Sequence, residues 1–86
     1  MNLVLCAGSR LVPGYTHHDV KQLPGIDIVC DLHDIPKHVT PSSCERIEFT
    51  HALEHFPKTE TVPILEMIKD MLVPGGELYI EVPNFA

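Results

Sequence analysis

Apolar residues fall in short runs along this chain, and turn-forming residues separate the runs. Residues 2–6 form a continuous apolar stretch, which is typical of a strand buried on both faces of a parallel sheet. Residues 15–20 and 26–32 each follow a Pro-Gly dipeptide and contain β-branched or aromatic residues, so both predict strands. Residues 46–50 predict a fourth strand that runs into a short helix. Residues 77–82 alternate between polar and apolar side chains and predict the last strand.

The segment 59–72 carries the helical period of the chain. Apolar residues recur there at steps of three and four, which places them on one face of a helix: Val62, Ile64, Leu65, Ile68, Met71 and Leu72. We expect Pro63 in the first turn, where its missing N–H is tolerated. Pro74, Gly75 and Gly76 predict the end of this helix.

Composition and charge narrow the class of protein. With 86 residues, 44% of them hydrophobic and 21% charged, the chain has the composition of one folded globular domain spanning 1–86. The net charge of −6 and the absence of a Lys/Arg run argue against direct nucleic-acid binding. No apolar run approaches the roughly 20 residues of a membrane helix, and the N-terminus lacks a signal-peptide pattern, so we expect a cytoplasmic protein without membrane contact.

The three cysteines predict neither a disulfide framework nor a cysteine zinc site. Cys6, Cys30 and Cys44 are an odd, widely spaced set without a CxxC pair. We expect them to be reduced. Cys6 is either a buried inert thiol, which is the commoner case, or a reactive thiol whose pKa a helix N-terminus lowers.

Chemistry-bearing residues follow several of the predicted strands. A turn containing Gly8 follows the first strand, Asp19 lies near the end of the second, Asp31 near the end of the third, and Thr50 with His51 after the fourth. Ligands of open α/β sheets bind at the carboxyl ends of the strands. A nucleoside needs a close backbone approach, a carboxylate that accepts from ribose hydroxyls, and a further acceptor for its exocyclic amine. The pattern therefore predicts a nucleoside site.

The sequence blocks in this order resemble the class I (Rossmann-like) methyltransferases that use S-adenosylmethionine. The resemblance covers essentially the whole chain through LCAGSRLVPGY, HHDV, IDIVCDLHDIP, EFTHALEHF and MLVPGGELYIEVPN, of which the last two blocks are the most specific. It implies a three-layer α/β sandwich around a mostly parallel sheet of about five strands. It also implies that the chain is the cofactor-binding portion of a methyltransferase, without the last two strands and the acceptor-binding insertions of the full fold.

The resemblance assigns residues to each part of the cofactor. The methionine part would face Leu5, Cys6, Ala7 and Gly8, with Thr50 and His51 near the same end; the ribose hydroxyls would face Asp19; adenine would lie between Asp31 and Leu32. The family loop is commonly Gly-x-Gly, whereas this chain has Cys6-Ala7-Gly8. The methyl acceptor is not indicated. The alternative function is that of a non-catalytic, truncated or degenerate domain that binds a nucleoside or a protein. A separate hypothesis is that two copies of the chain pair through an exposed edge strand to form a homodimer.

Other interpretations of the polar motifs stay open at the level of sequence. Residues 51–55 match H-x-x-E-H, the inverted zinc-protease motif, but they precede Pro57 and lack a downstream ligand. His17 and His18 with Asp19 have donor atoms for a metal, yet neighbouring strand residues point to opposite faces. Asp31 is alternatively a cap for the turn before Pro36. We therefore expect no metal.

Overall fold

The computed structural model describes residues 1–50 and 56–81. The strands are β1 (Asn2–Leu5), β2 (Thr16–Asp19), β3 (Ile28–Val29), β4 (Cys44–Thr50) and β5 (Leu72–Glu81). An α-helix, α1 (Thr61–Met71), precedes β5, and 3₁₀ helices span Leu32–Lys37 and Lys58–Glu60.

The five strands form one parallel sheet in the order β3-β2-β1-β4-β5. The first three strands extend the sheet in one direction, and the chain then returns to the other side of β1 to lay down β4 and β5. The order therefore reverses between β1 and β4. This layout confirms the expected α/β fold with a parallel sheet of about five strands.

The two faces of the sheet are covered differently. On one face, Leu3 and Leu5 of β1 and Ile47 and Phe49 of β4 pack with α1 and the longer 3₁₀ helix in the main core. On the other face, a smaller apolar cluster joins Val4 to residues from the β1–β2 and β2–β3 loops. The described helices thus lie on one side of the sheet, and loops form the layer on the other.

The third strand is shorter than the sequence pattern predicts. Residues 26–32 were expected to form it, but only Ile28–Val29 pair with β2, and Leu32 already begins a 3₁₀ helix. Asp31 explains the change, because its side chain accepts a hydrogen bond from the His33 N–H and caps the helix start. Leu32 is then buried in the main core.

The helix α1 also ends earlier than expected, and the glycine pair does not end it. The extended backbone of Leu72 ends α1 at Met71, and Leu72 already pairs with Cys44 of β4. Gly75 and Gly76 lie inside an irregular stretch of β5. A Cβ on Gly76 would lie 2.9 Å from the Val73 carbonyl oxygen, so this close backbone approach requires glycine.

No helix within the two described ranges is long and apolar enough to cross a membrane. The α-helix α1 has 11 residues, whereas a membrane span needs roughly 20.

We expect Ile68→Ala to lower the free energy of unfolding by about 2–5 kcal/mol, because it leaves a cavity in the main core. Val62→Ala is the matched control on the same helix. Since Val62 is 62% exposed, its truncation should change stability by less than about 0.5 kcal/mol. Urea unfolding followed by circular dichroism measures both. Equal losses from the two variants would contradict the packing of α1.

Candidate functional site

The carboxyl ends of β1 and β4 flank the point at which the strand order reverses, where open α/β sheets bind ligands. The loop after β1 and the last residues of β2, β3 and β4 lie at this edge. Backbone hydrogen bonds join the neighbouring strand ends. The Ala7 N–H donates to the His18 carbonyl oxygen at 2.8 Å, and the Cys30 N–H donates to that of Asp19 at 3.1 Å.

The loop after β1 starts with an unusual backbone conformation. Cys6 has φ of 53° and Gly8 has φ of 58°, both in the left-handed region. For an L-residue this conformation costs roughly 1–2 kcal/mol, because its Cβ lies too close to the following carbonyl oxygen. Glycine has no Cβ and avoids this cost. Cys6 therefore occupies a conformation that suits glycine.

Three consecutive side chains of β2 hold this loop through its backbone N–H groups. The Cys6 N–H donates to Nδ1 of His18 at 3.1 Å. The Gly8 N–H donates to Oδ2 of Asp19 at 2.7 Å, and the Val12 N–H donates to Nε2 of His17 at 2.7 Å. We call His17, His18 and Asp19 the loop clamp. From the sequence, these three residues are candidates for metal ligands and Asp19 for a ribose contact; their contacts with the loop have no local sequence signal.

The hydrogen bonds of His18 define its protonation state. Nδ1 accepts from Cys6, so Nε2 carries the hydrogen and donates to the Cys30 carbonyl oxygen at 2.8 Å. Burial lowers the pKa of His18 and outweighs the opposing effects of that carbonyl and of the nearby carboxylates. His18 is therefore a neutral imidazole in the fold.

Asp19 is buried but charged. Burial raises its pKa, yet the N–H groups of Lys21 and Gly8 that donate to the carboxylate outweigh this effect, and the pKa lies below its ordinary value. Lys21 donates to Oδ1 at 3.0 Å and Gly8 to Oδ2, and the backbone N–H of Val20 also lowers the pKa. A carboxylate has about four acceptor positions, which leaves at least one for a hydroxyl donor.

The surroundings of the Cys6 thiol disfavour its thiolate form. Burial raises its pKa to about 12, with further contributions from the charges of Asp19 and Asp31. No helix follows β1 directly, so no helix N-terminus lowers this pKa. The structure therefore supports the inert interpretation of this cysteine.

Asp31 is exposed and pairs with His33. Its Oδ1 accepts from the His33 N–H at 2.9 Å and lies 2.8 Å from His33 Nδ1. The pKa of Asp31 is lowered, and the hydrogen bond from the His33 backbone N–H is the main cause. In turn, the hydrogen bond between the two side chains raises the pKa of His33. His33 Nε2 also lies 3.6 Å from Glu60 Oε1, at a cleft of about 400 Å³ that Ile64 helps to line.

The remaining predicted site residues differ in accessibility. Leu5 and Thr50 are buried at the ends of β1 and β4, and Leu32 is buried in the main core. Ala7 packs in the smaller cluster on the opposite sheet face. A second cavity, of about 260 Å³, lies beside Gly8. His51 lies outside the described residues, as does the whole H-x-x-E-H motif.

Metal ligation finds no support in the part of the chain that the structure describes. There, no group of three or more His, Cys, Asp or Glu side chains is placed to hold an ion. His17 pairs in register with Val4, and His18 follows it on the other face of β2. The two imidazoles therefore point to opposite faces, as the strand geometry predicted.

Comparisons with known proteins identify no relative. No protein-family model, no curated protein and no solved structure matches the chain.

We expect Cys6 to alkylate slowly in the native chain. A pKa of about 12 instead of 9.0 lowers the thiolate fraction at pH 8 by about a thousandfold. Timed iodoacetamide labelling, located by mass spectrometry of the peptide containing Cys6, measures the rate. The same peptide labelled in guanidinium is the control. Equal rates in the native and unfolded chains would contradict the burial of this thiol.

We expect Asp19→Asn to lower stability by about 1–3 kcal/mol at pH 7, because the amide leaves the N–H of Gly8 or Lys21 without an acceptor. The folded pKa of Asp19 lies below 3.8, so its contribution is present above that pH and lost as pH falls through the folded pKa. The difference between wild type and variant should therefore narrow below pH 4.

Urea unfolding between pH 3 and pH 7 tests this expectation. Asp34→Asn is the control, since it removes a carboxylate whose ion pair with Lys37 is exposed and should cost less than about 1 kcal/mol. A pH-independent difference for Asp19→Asn would show that the charge of Asp19 is not what stabilises the loop.

Proposed function

We propose that this chain is the S-adenosylmethionine-binding core of a methyltransferase. The observation that carries the proposal is the contact between the Asp19 carboxylate and the Gly8 N–H at the point where the strand order reverses. This contact brings a carboxylate with spare acceptor capacity against a loop of left-handed backbone. The resemblance of the sequence blocks to class I methyltransferases agrees with the arrangement.

The hydrogen bonding of the loop favours a cofactor without phosphate groups. Pyrophosphate cofactors are bound by free backbone N–H groups at the start of a helix that follows the first strand. Here the segment between β1 and β2 contains no helix. The N–H groups of Cys6, Ala7 and Gly8 already donate within the chain. A nucleoside linked to an amino acid is therefore a better match than a dinucleotide.

Individual residues would hold the parts of the cofactor as follows. Asp19 would accept from the ribose hydroxyls through its remaining acceptor capacity. The cofactor would approach the protein backbone at Gly8. The surface is open there, since a Cβ built on Gly8 would meet nothing within 4 Å. Asp31, exposed at the end of β3, would face the adenine side, and Thr50 the methionine end.

When bound, this cofactor would supply a methyl group to a lone pair of the acceptor, and the electrons of the broken carbon–sulfur bond would stay on sulfur, giving S-adenosylhomocysteine. Such a reaction depends mainly on holding donor and acceptor in line. A rigid loop held by the loop clamp suits that requirement.

We expect micromolar binding of S-adenosylhomocysteine to the folded chain in calorimetric titration. Loss of a hydrogen bond to a charged group costs about 1.5–3 kcal/mol, so Asp19→Asn should weaken binding by about ten- to hundredfold. Asp34→Asn should bind like wild type. Amide shifts at Gly8, Asp19 and Thr50 on titration of the wild type locate the ligand independently of any variant.

The affinity for adenosine distinguishes a methyltransferase core from the alternative, a non-catalytic nucleoside-binding module. A methyltransferase core should bind S-adenosylhomocysteine much more tightly than adenosine, because the methionine part adds contacts at residues 5–8. Equal affinity for both would favour the non-catalytic module. Absence of heat and of amide shifts with a folded wild-type chain would overturn the proposal.

A further inference from the structure

The loop clamp contains two histidines that act as hydrogen-bond acceptors. His18 accepts the Cys6 N–H on Nδ1, and His17 accepts the Val12 N–H on Nε2. Both imidazoles are buried, at 0% and 6% exposure. The two contacts lie on opposite faces of β2 and hold the two ends of the segment 6–12 that contains Gly8.

An imidazole accepts a hydrogen bond only while one ring nitrogen lacks a proton. Nε2 of His18 already carries hydrogen for the Cys30 carbonyl oxygen, so a second proton must enter at Nδ1, against the Cys6 N–H. Protonation of His18 therefore sets a donor against a donor and breaks the contact with the loop.

The charged groups around His18 oppose each other. The carboxylates of Asp19 and Asp31 and the Cys30 carbonyl oxygen favour the protonated ring, whereas burial and His38 disfavour it. Burial is the largest effect and lowers the pKa of His18. The neighbouring thiols of Cys6 and Cys30 remain protonated, because burial raises their pKa values.

His17 has a different set of neighbours. Asp27 Oδ2 lies 3.7 Å from its Nδ1 and accepts the His17 N–H at 2.8 Å. On the same sheet face, Val4 lies between His17 and Glu48 in the register of the sheet, and Glu48 is paired with Arg10. The nearest charge to the ring is thus the Asp27 carboxylate, which is half exposed.

We propose that His18 is a positioning residue that holds the start of the loop after β1 in its ligand-binding form only while its imidazole is neutral, so that acidification releases the loop. The inference rests on the proposed function for its effect on the cofactor. The release of the loop follows from the hydrogen bonds alone. Asp19 keeps its contact to Gly8 throughout this pH range, because its pKa lies below its ordinary value.

The sign of the pH effect follows from proton linkage. The folded pKa of His18 lies below its ordinary value of 6.5, so below pH 6.5 the released form binds more protons than the held form. The contact is therefore at full strength above pH 6.5 and weakens as pH falls towards the folded pKa. Each proton taken up on release shifts the opening equilibrium by up to about tenfold per pH unit.

Amide hydrogen exchange of the folded wild-type chain between pH 8 and pH 5 tests the proposal. We expect the protection factor of the Cys6 amide to fall by about tenfold below pH 6.5, while amides of Leu5 and Phe49 keep theirs. The affinity for S-adenosylhomocysteine should fall over the same range. Nitrogen chemical shifts of the His18 imidazole report its protonation directly in the same samples.

Matched variants separate titration from structure. His18→Asn places an amide oxygen near the position of Nδ1, so it retains an acceptor that does not titrate. In this variant, protection of Cys6 and ligand affinity should become independent of pH. His38→Gln removes an exposed histidine that disfavours protonation of His18, so the fall in protection should persist and move to slightly higher pH.

Each outcome decides one of the two claims. Constant protection of Cys6 in the wild type across the pH range would overturn the inference, whether or not the variants fold. Falling protection without any change in ligand affinity would overturn the positioning role. Falling protection in a chain that binds no S-adenosylhomocysteine at any pH would refute the proposed function and leave the pH-sensitive loop in place.

Discussion

The structure depends on how the segment between β1 and β2 satisfies its backbone N–H groups. Parallel strands in α/β folds are commonly joined by a helix, which pairs these groups internally. This connection has no helix, and β2 instead supplies acceptors from three consecutive side chains. Because alternate side chains of a strand point to opposite faces, His18 holds the start of the loop from one face while His17 and Asp19 hold it from the other. These contacts fix the position of the loop relative to the sheet, and with it the shape of the candidate site.

The same connection accounts for the unequal faces of the sheet. Without a helix after β1, the face that carries Val4 is covered by loops and by charged side chains. Arg10 from the loop lies 2.6 Å from Oε1 of the buried Glu48, and Arg46 contacts Glu77 at 2.8 Å. Burial raises the pKa of Glu48, but the hydrogen bonds and charges of Arg10 and Arg46 lower it by more. The pKa therefore lies below its ordinary value, and the carboxylate remains charged. The ion pairs allow a strand in the middle of the sheet to carry charges that would otherwise be costly to bury.

The two carboxylates at the strand ends have different surroundings and hence different capacities. Asp19 is buried and charged, and backbone N–H groups fix its orientation, which suits directed acceptance from a ligand. Asp31 is exposed and shares a hydrogen bond with His33, beside the cleft at Glu60. Under the proposed function, this asymmetry favours Asp19 over Asp31 as the acceptor for the ribose hydroxyls.

The sequence by itself determined the parallel α/β fold, most strand positions and the convergence of Gly8, Asp19 and Asp31 at one edge, because apolar periodicity and turn residues are local signals. Only the tertiary structure decided where β3 and α1 end, since the cap by Asp31 and the pairing of Leu72 with Cys44 compete with local preference. It also decided the role of His17 and His18. Their partners lie 5 and 12 residues away in another segment, and no spacing within HHD encodes which backbone N–H groups the fold brings to them.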